Sequence, residues 1–339
     1  MDEKPTAHRP PIDWAVIRLS SLGDAALTTG VLAHFGRRGL RFAVITRAAF
    51  SPLFENHPAV VEVAGLTAEQ LAGERWPATC RELARRFPRS GLLDLHGNLR
   101  SRLLGLFWPG PVRRYPKFSL ARRLFALTRC KAIGRRLLET NVPQRYALAL
   151  DATPPPAEAV RPRIVLTDAE REAARRRMQD LGLNPPAIAL HPFATHPDKA
   201  WPEGHWQALR ELIEAAGLCW FVLGAGEAPL FPDSPRDLTG KTGLRETCAL
   251  LAQAAALVTN DSGPMHLATA VGAPLVALFG PTTRAWGFFP SGPRDIVLER
   301  ELPCRPCSLH GKKPCPRERV CLASIAPQEV LTAALSLTR

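Results

Sequence analysis

The chain has 339 residues, 46% of them hydrophobic, and carries a formal charge of +13 with a pI near 10.0. That length exceeds one compact core of usual size and points to two domains. No apolar run nears the roughly 18 residues of a membrane span, no collagen-like period is present, and the basic balance calls for an anionic partner: nucleic acid, a membrane surface or a phosphorylated substrate.

Residues 14–19 read as a short buried strand, broken by Ser20, Ser21, Leu22, Gly23 and Asp24. Residues 25–35 place Leu27, Val31, Leu32 and Phe35 at helical spacing and stop near Gly36. Residues 41–46, 60–63 and 91–95 are further strands, and strands alternating with helical segments predict a parallel sheet. Pro154, Pro155 and Pro156 cannot continue a helix or a central strand, so this stretch is the linker. Beyond it Thr167 and Glu170 form a capping box for a helix to about Leu181. A strand at 187–190, a helix carrying Trp206, Leu209 and Ile213, a strand at 219–223 and a helix over 244–256 follow. The pattern predicts an α/β protein with two Rossmann-like domains whose parallel sheets face a central cleft. Their bounds are 1–152 and 164–326, joined by a linker at 153–163 and followed by a closing helix at 327–339.

Asn260, Asp261, Ser262, Gly263, Pro264, Met265 and His266 lie between an apolar run and a helix-compatible segment, with a second apolar run at 274–279. In an open α/β sheet, ligands bind at the carboxyl ends of strands, where helix N-termini present free N–H groups. This turn is therefore either an anion-binding site or an ordinary βα connection with a helix cap. Asp24 is placed to take a proton from a hydroxyl, or simply to complement a helix dipole. Thr195 offers a hydroxyl and Lys199 a point charge to a diphosphate, although a solvated loop is the commoner fate of lysine. Glu227, past a small-residue turn, could accept from ribose hydroxyls, but its Gly-x-Gly lacks the third glycine of a dinucleotide fingerprint.

Four segments then occur in order: Arg18 to Asp24, Asp94 to Ser101, Lys199-Ala200-Trp201-Pro202, and Asn260 to His266, with Gly280-Pro281-Thr282 after them. Together they resemble the ADP-heptose:lipopolysaccharide heptosyltransferase family (glycosyltransferase family 9) over residues 14–335. The resemblance implies a GT-B fold, with acceptor on the first domain and nucleotide-sugar on the second. It also implies inverting transfer, with no cofactor required, of a heptose or related sugar from an ADP-sugar donor to the inner core of lipopolysaccharide. By motif match, Asp24 is the catalytic base. Thr195, Lys199, Glu227, Asp261, Ser262, Gly263 and His266 hold the donor. Ser20, Ser21, Gly23, His96, Asn98 and Arg100 meet a lipid A–Kdo or partial-core acceptor. The chain departs from the family pattern at His96 and His191. A sugar-nucleotide epimerase on the same scaffold, or a non-catalytic nucleotide- or membrane-binding protein, are the rival readings.

Between Asp94 and Glu139 there is no acidic residue, while arginines, lysines and apolar side chains interleave. A solvated basic face is one reading; an amphipathic surface on an anionic inner leaflet is the other. No nucleic-acid module is visible. The polar residues 1–11 lack a signal-peptide core, so the expected location is cytoplasmic, peripheral to the inner membrane. Cys304, Cys307, Cys315 and Cys321 suit a structural zinc, less readily an iron–sulfur cluster, or else are four reduced thiols in a tail loop.

Overall fold

The computed structural model describes residues 10–184, 186–307 and 314–338. The first sheet is assembled from β1 (Trp14–Ile17), β2 (Phe42–Arg47), β3 (Val60–Leu66), β4 (Gly91–Asp94) and β5 (Val112–Arg114). Its helices are α1 (Leu22–Gly36), α2 (Trp76–Arg86), α3 (Leu99–Phe107), α4 (Ser119–Thr128), α5 (Lys131–Leu138) and α6 (Val142–Ala147). The second region contains α7 (Asp168–Asp180), β6 (Ala187–His191), α8 (Glu203–Ala215), β7 (Cys219–Val222), α9 (Leu244–Gln253), β8 (Ala256–Asn260), α10 (Gly263–Val271), β9 (Leu275–Phe279) and β10 (Ile296–Glu299). It closes with α11 (Val320–Ala323) and α12 (Pro327–Leu337).

Every strand pair among the described residues is parallel. The first sheet runs β3-β2-β1-β4-β5, the Rossmann order, and the second runs β10-β9-β8-β6-β7. Counted from its own first strand, the second sheet has the other common doubly wound order. Each order reverses once, between β1 and β4 and between β6 and β8. Those are the crevices where α/β proteins bind ligands.

One apolar core runs from the first sheet through α1, α6 and α10 to the second sheet, joining Val16, Leu27, Val31, Tyr146, Met265 and Leu267. A separate core fills the far side of the first sheet around Ile17, Trp76 and Leu104. A third covers the far side of the second, where α12 lays Val330, Leu331 and Ala334 against Trp206 and Leu209 of α8. Both sheets are thus covered on both faces, as buried parallel strands require.

Two helices start earlier than their apolar pattern. The spacing puts α1 from Ala25, yet it begins at Leu22, because Ser21 and Asp24 close a capping pair around the first turn. Likewise α10 begins at Gly263, ahead of its apolar residues. The helix expected over 244–256 ends at Gln253, and Ala254 is already extended on the way into β8. In both early starts a polar turn is the helix N-terminus itself, which brings its chemistry onto a rigid element.

Candidate active site

On the first sheet, Arg18 follows β1 and is buried. Its Nη2 lies 2.6 Å from Asp24 Oδ1. The Tyr146 hydroxyl donates to the same oxygen at 2.7 Å. Asp24 Oδ2 accepts from the backbone N–H and the hydroxyl of Ser21, each at 3.0 Å. Burial alone would raise the Asp24 carboxyl, but Arg18, Ser21 and Tyr146 hold it down at about 2. Burial works the other way on Arg18, and Asp24 overrides it, so the guanidinium stays charged. Tyr146 is pushed well above its ordinary value by burial and remains a donor. The chain's two tyrosines, Tyr115 and Tyr146, meet edge to face at 4.9 Å beside this pair.

Across the switch point, the loop after β4 builds a second polar group. Asp94 Oδ1 accepts from the N–H groups of His96 and Gly97 at 3.0 and 2.8 Å. Asp94 Oδ2 accepts from the Ser101 hydroxyl at 3.0 Å. Asn98 caps α3, with its Oδ1 accepting from the Ser101 N–H at 3.0 Å. Its amide nitrogen therefore faces His96 Nε2 at 2.8 Å and donates to it. The proton of a neutral His96 must then sit on Nδ1, which is buried and unpartnered among the described residues. Burial, then Arg18 and Lys117, push the His96 imidazole down to about 3, so it is neutral at physiological pH. Arg100 is half-buried, with its guanidinium over the Trp76 ring.

On the second sheet, the loops after β6 and β8 interlock. Asn260 accepts from the Trp201 N–H at 3.0 Å and donates to the Pro192 carbonyl at 2.8 Å, tying down the loop that carries Lys199. Lys199 Nζ lies 2.6 Å from Asp261 Oδ2, and the Thr282 hydroxyl donates to that oxygen at 2.8 Å. Ser262 Oγ lies 3.2 Å from Nδ1 of buried His191, whose imidazole burial pushes down to about 4. A side chain at Gly224 would collide with His191, since its Cβ would lie 2.7 Å from Cδ2. That is one physical reason for the first glycine of the weak Gly-x-Gly. The N–H groups of the first turn of α10 have no intrahelical partner. Thr195 and Glu227 are exposed on the loops after β6 and β7.

The two halves meet at the N-termini of α1 and α10. A Cβ built on Gly23 would stand 2.7 Å from His266 Cδ2 and 3.5 Å from Gly263 Cα. His266 is buried, its imidazole pushed down to about 4 by burial, with Asp261 and Asp24 pulling the other way. The structure thus gathers Ser21, Gly23, Asp24, Gly263 and His266 at one junction, with Asp261 and Lys199 beside it. Arg18 was legible only as part of a motif. Thr282 was likewise legible only within Gly280-Pro281-Thr282, while Tyr146 carried no spacing signal and comes into the site through the fold alone.

Cys304, Cys307 and Cys315 are half-buried and Cys321 is buried, all as free thiols. Cys307 donates to the Cys304 carbonyl at 3.1 Å, and burial, then Cys304, push its thiol up to about 11. Among the described residues no group of three or more His, Cys, Asp or Glu is placed to hold a metal ion. Among them, too, no helix is long and apolar enough to cross a membrane.

Residues 80–317 match the model of glycosyltransferase family 9 (heptosyltransferase). Lipooligosaccharide heptosyltransferase 2 of Haemophilus influenzae is 40% identical over 111 residues, which span 29% of this chain and only about a third, 32%, of that relative. Lipopolysaccharide heptosyltransferase 1 of Pseudomonas aeruginosa is 27% identical across 94% of this chain and 95% of its own length. The solved structure of Escherichia coli ADP-heptose lipopolysaccharide heptosyltransferase II superposes with a TM-score of 0.70 at 23% identity, covering 96% of this chain and 98% of that one. With well over half of its residues within the family model, and a fold that matches throughout, the chain belongs to glycosyltransferase family 9, the heptosyltransferases.

Proposed function

We propose that this glycosyltransferase moves a heptose from ADP-heptose onto the inner core of lipopolysaccharide, with inversion at the anomeric carbon. One observation carries the reading: a carboxylate held ionised on the first domain, Asp24, adjoins Gly23, which meets His266 and the α10 N-terminus of the second. The acceptor hydroxyl oxygen attacks the anomeric carbon from the face opposite the diphosphate. The bond from that carbon to the diphosphate oxygen breaks, and ADP leaves with the electron pair. The hydroxyl proton passes to Asp24. A carboxyl near 2 is a weak base toward a free hydroxyl. The attacking oxygen becomes strongly acidic only as its bond to carbon forms, so the proton moves late.

On the donor side, Lys199 and the free N–H groups of α10 offset charge developing on the diphosphate. Asp261 contributes by orienting Lys199, because a carboxylate alone would repel phosphate. Thr195, Ser262 and Glu227 flank this site as phosphate and ribose contacts. Ser20, Ser21, His96, Asn98 and Arg100 line the acceptor side, where Arg18 and Lys117 make the surroundings of His96 cationic. An epimerase would need no built acceptor side, and this network supports transfer instead. Purified chain given ADP-heptose and truncated lipopolysaccharide should add one heptose by mass and release ADP. Equal donor turnover without acceptor would sink the reading.

The surface of the first domain supports attachment to an anionic membrane. Leu106, Leu120 and Leu127 are 82%, 71% and 82% exposed amid arginines of the acid-free segment. Co-sedimentation with phosphatidylglycerol vesicles, and none with DNA or RNA, is the expected result. The four thiols of 304–321 suit a structural zinc by residue type alone, since among the described residues no three of them are placed around one point, and zinc would have to draw them together. Metal analysis of the purified chain tests this separately, since transfer as proposed runs through none of them.

A further inference from the structure

A cavity of about 640 Å³ opens between the α4–α5 hairpin of the first domain and the 305–306 segment of the second. Its volume lies within the range of small-molecule sites. Its walls are mainly apolar, formed by Phe125, Leu138, Pro306 and the bare backbone of Gly134. A Cβ at Gly134 would press on the Phe125 ring at 2.7 Å, so the glycine lets the hairpin close over this wall. Phe125 in turn meets Trp286 at 5.9 Å, which joins the hairpin to the second domain.

The rim is cationic. Arg129 donates to the carbonyls of Pro303, Arg305 and Cys304 at 2.8, 2.7 and 3.1 Å. Carbonyls hold its position without cancelling its charge. Lys131 and Arg135 also line the cavity. Arg129, Lys131 and Arg135 have no carboxylate partner among the described residues, whereas Arg305 is paired with Glu299 at 2.8 Å. Three uncompensated cations therefore ring an apolar hollow. Leu127, 82% exposed, continues the apolar surface outward from α4.

We infer that this cavity seats one anionic phospholipid of the membrane, its acyl chain against Phe125, Leu138 and Pro306 and its phosphate among Arg129, Lys131 and Arg135. An apolar wall alone would take any chain. The cations select the anionic headgroup, and the carbonyl-anchored Arg129 keeps one charge fixed at the mouth. The inference rests on the membrane attachment proposed above and adds a discrete, saturable site to it.

The test is lysolipid binding to the full chain below the micellar concentration, read by displacement of a fluorescent fatty acid. Lauroyl-lysophosphatidylglycerol should bind saturably, and lauroyl-lysophosphatidylcholine about tenfold more weakly or worse, since it lacks net charge. Shortening the chain should weaken binding by up to about fourfold per methylene. Leu138→Glu and the double variant Lys131→Ser/Arg135→Ser should each lose about tenfold or more in affinity. Both alter surface positions and should keep the wild-type melting temperature and transfer to a deacylated acceptor. Equal binding of the two lysolipids, or unchanged affinity in both variants, would overturn the site. So would displacement of the lysolipid by the sugar acceptor in step with saturation of transfer, because the occupant would then be the acceptor. Failure of heptose transfer with lysolipid binding intact would count against the proposed reaction and leave this site standing.

Discussion

Gly23 of α1 and His266 of α10 touch across the cleft so closely that a single methyl on Gly23 would stand 2.7 Å from the imidazole carbon. The contact couples the two domains at the point where acceptor and donor sides meet. Gly23→Ala should cost about 1–3 kcal/mol, the range for overpacking a well-packed interior. It should also lower kcat/KM, because His266 or α1 must move. Adding His266→Ala should recover part of the stability. Strictly additive effects in thermal unfolding of the double variant would show that the contact does not carry the cost.

Asp24 combines chemistry with structure. Asp24→Asn should reduce transfer by roughly 10²–10⁴-fold, as expected for loss of a proton acceptor, while ADP still binds. It also leaves Arg18 charged, buried and unpaired, which should destabilise the fold by about 3–5 kcal/mol. Wild-type turnover in a folded Asp24→Asn protein would remove Asp24 from the mechanism.

The same pair sets an acid limit. The Asp24 carboxyl lies at about 2 in the folded chain against an ordinary 3.8. Its stabilisation is therefore complete above pH 3.8 and is lost as pH falls toward 2, and it amounts to roughly 2 kcal/mol. Wild type should lose stability through that window. Asp24→Asn should show a shallower loss there in denaturant titrations at each pH.

Lys199 and Asp261 should separate in donor kinetics. Lys199→Ala removes the charge that meets the diphosphate and should raise donor KM or lower kcat by about tenfold or more. Asp261→Asn keeps the hydrogen bonding of Thr282 but frees Lys199, so its defect should be smaller and should deepen little when Lys199→Ala is added. Equal and additive losses would argue that Asp261 meets the donor independently.

His96 should be neutral with its proton on Nδ1, because Asn98 is committed by capping α3. Nitrogen NMR of the folded chain should find that tautomer from pH 5 to 8, with no titration until near pH 3. An unpaired buried N–H costs about 1–3 kcal/mol, which an acceptor oxygen would recover on binding. His96→Leu should therefore raise acceptor KM, and His96→Gln, which retains a donor, should raise it less. A protonated imidazole at pH 6 would refute the assignment.

The alternation of apolar runs with Gly- and Ser-rich turns determined an α/β chain with parallel sheets, because buried parallel strands need continuous apolar residues and helical crossovers. Local residue chemistry marked the turns after β1, β6 and β8 as places for polar function and pointed to Asp24, Lys199 and Asp261, whereas His96 and the turn after β4 entered only through the family resemblance. Spacing could not give their partners. Arg18 reaches Asp24 because Ser21 folds the presumed loop into the first turn of α1, and Tyr146 arrives from a helix 122 residues further on. Thr282 comes from another loop to share Asp261 with Lys199. Arg18 apart, these groups are separated in sequence, and folding alone brings them into contact. The pairing of charges, the tautomer of His96 and the cavity beneath α4–α5 are therefore properties of the tertiary structure, because each depends on burial and proximity that no local pattern encodes.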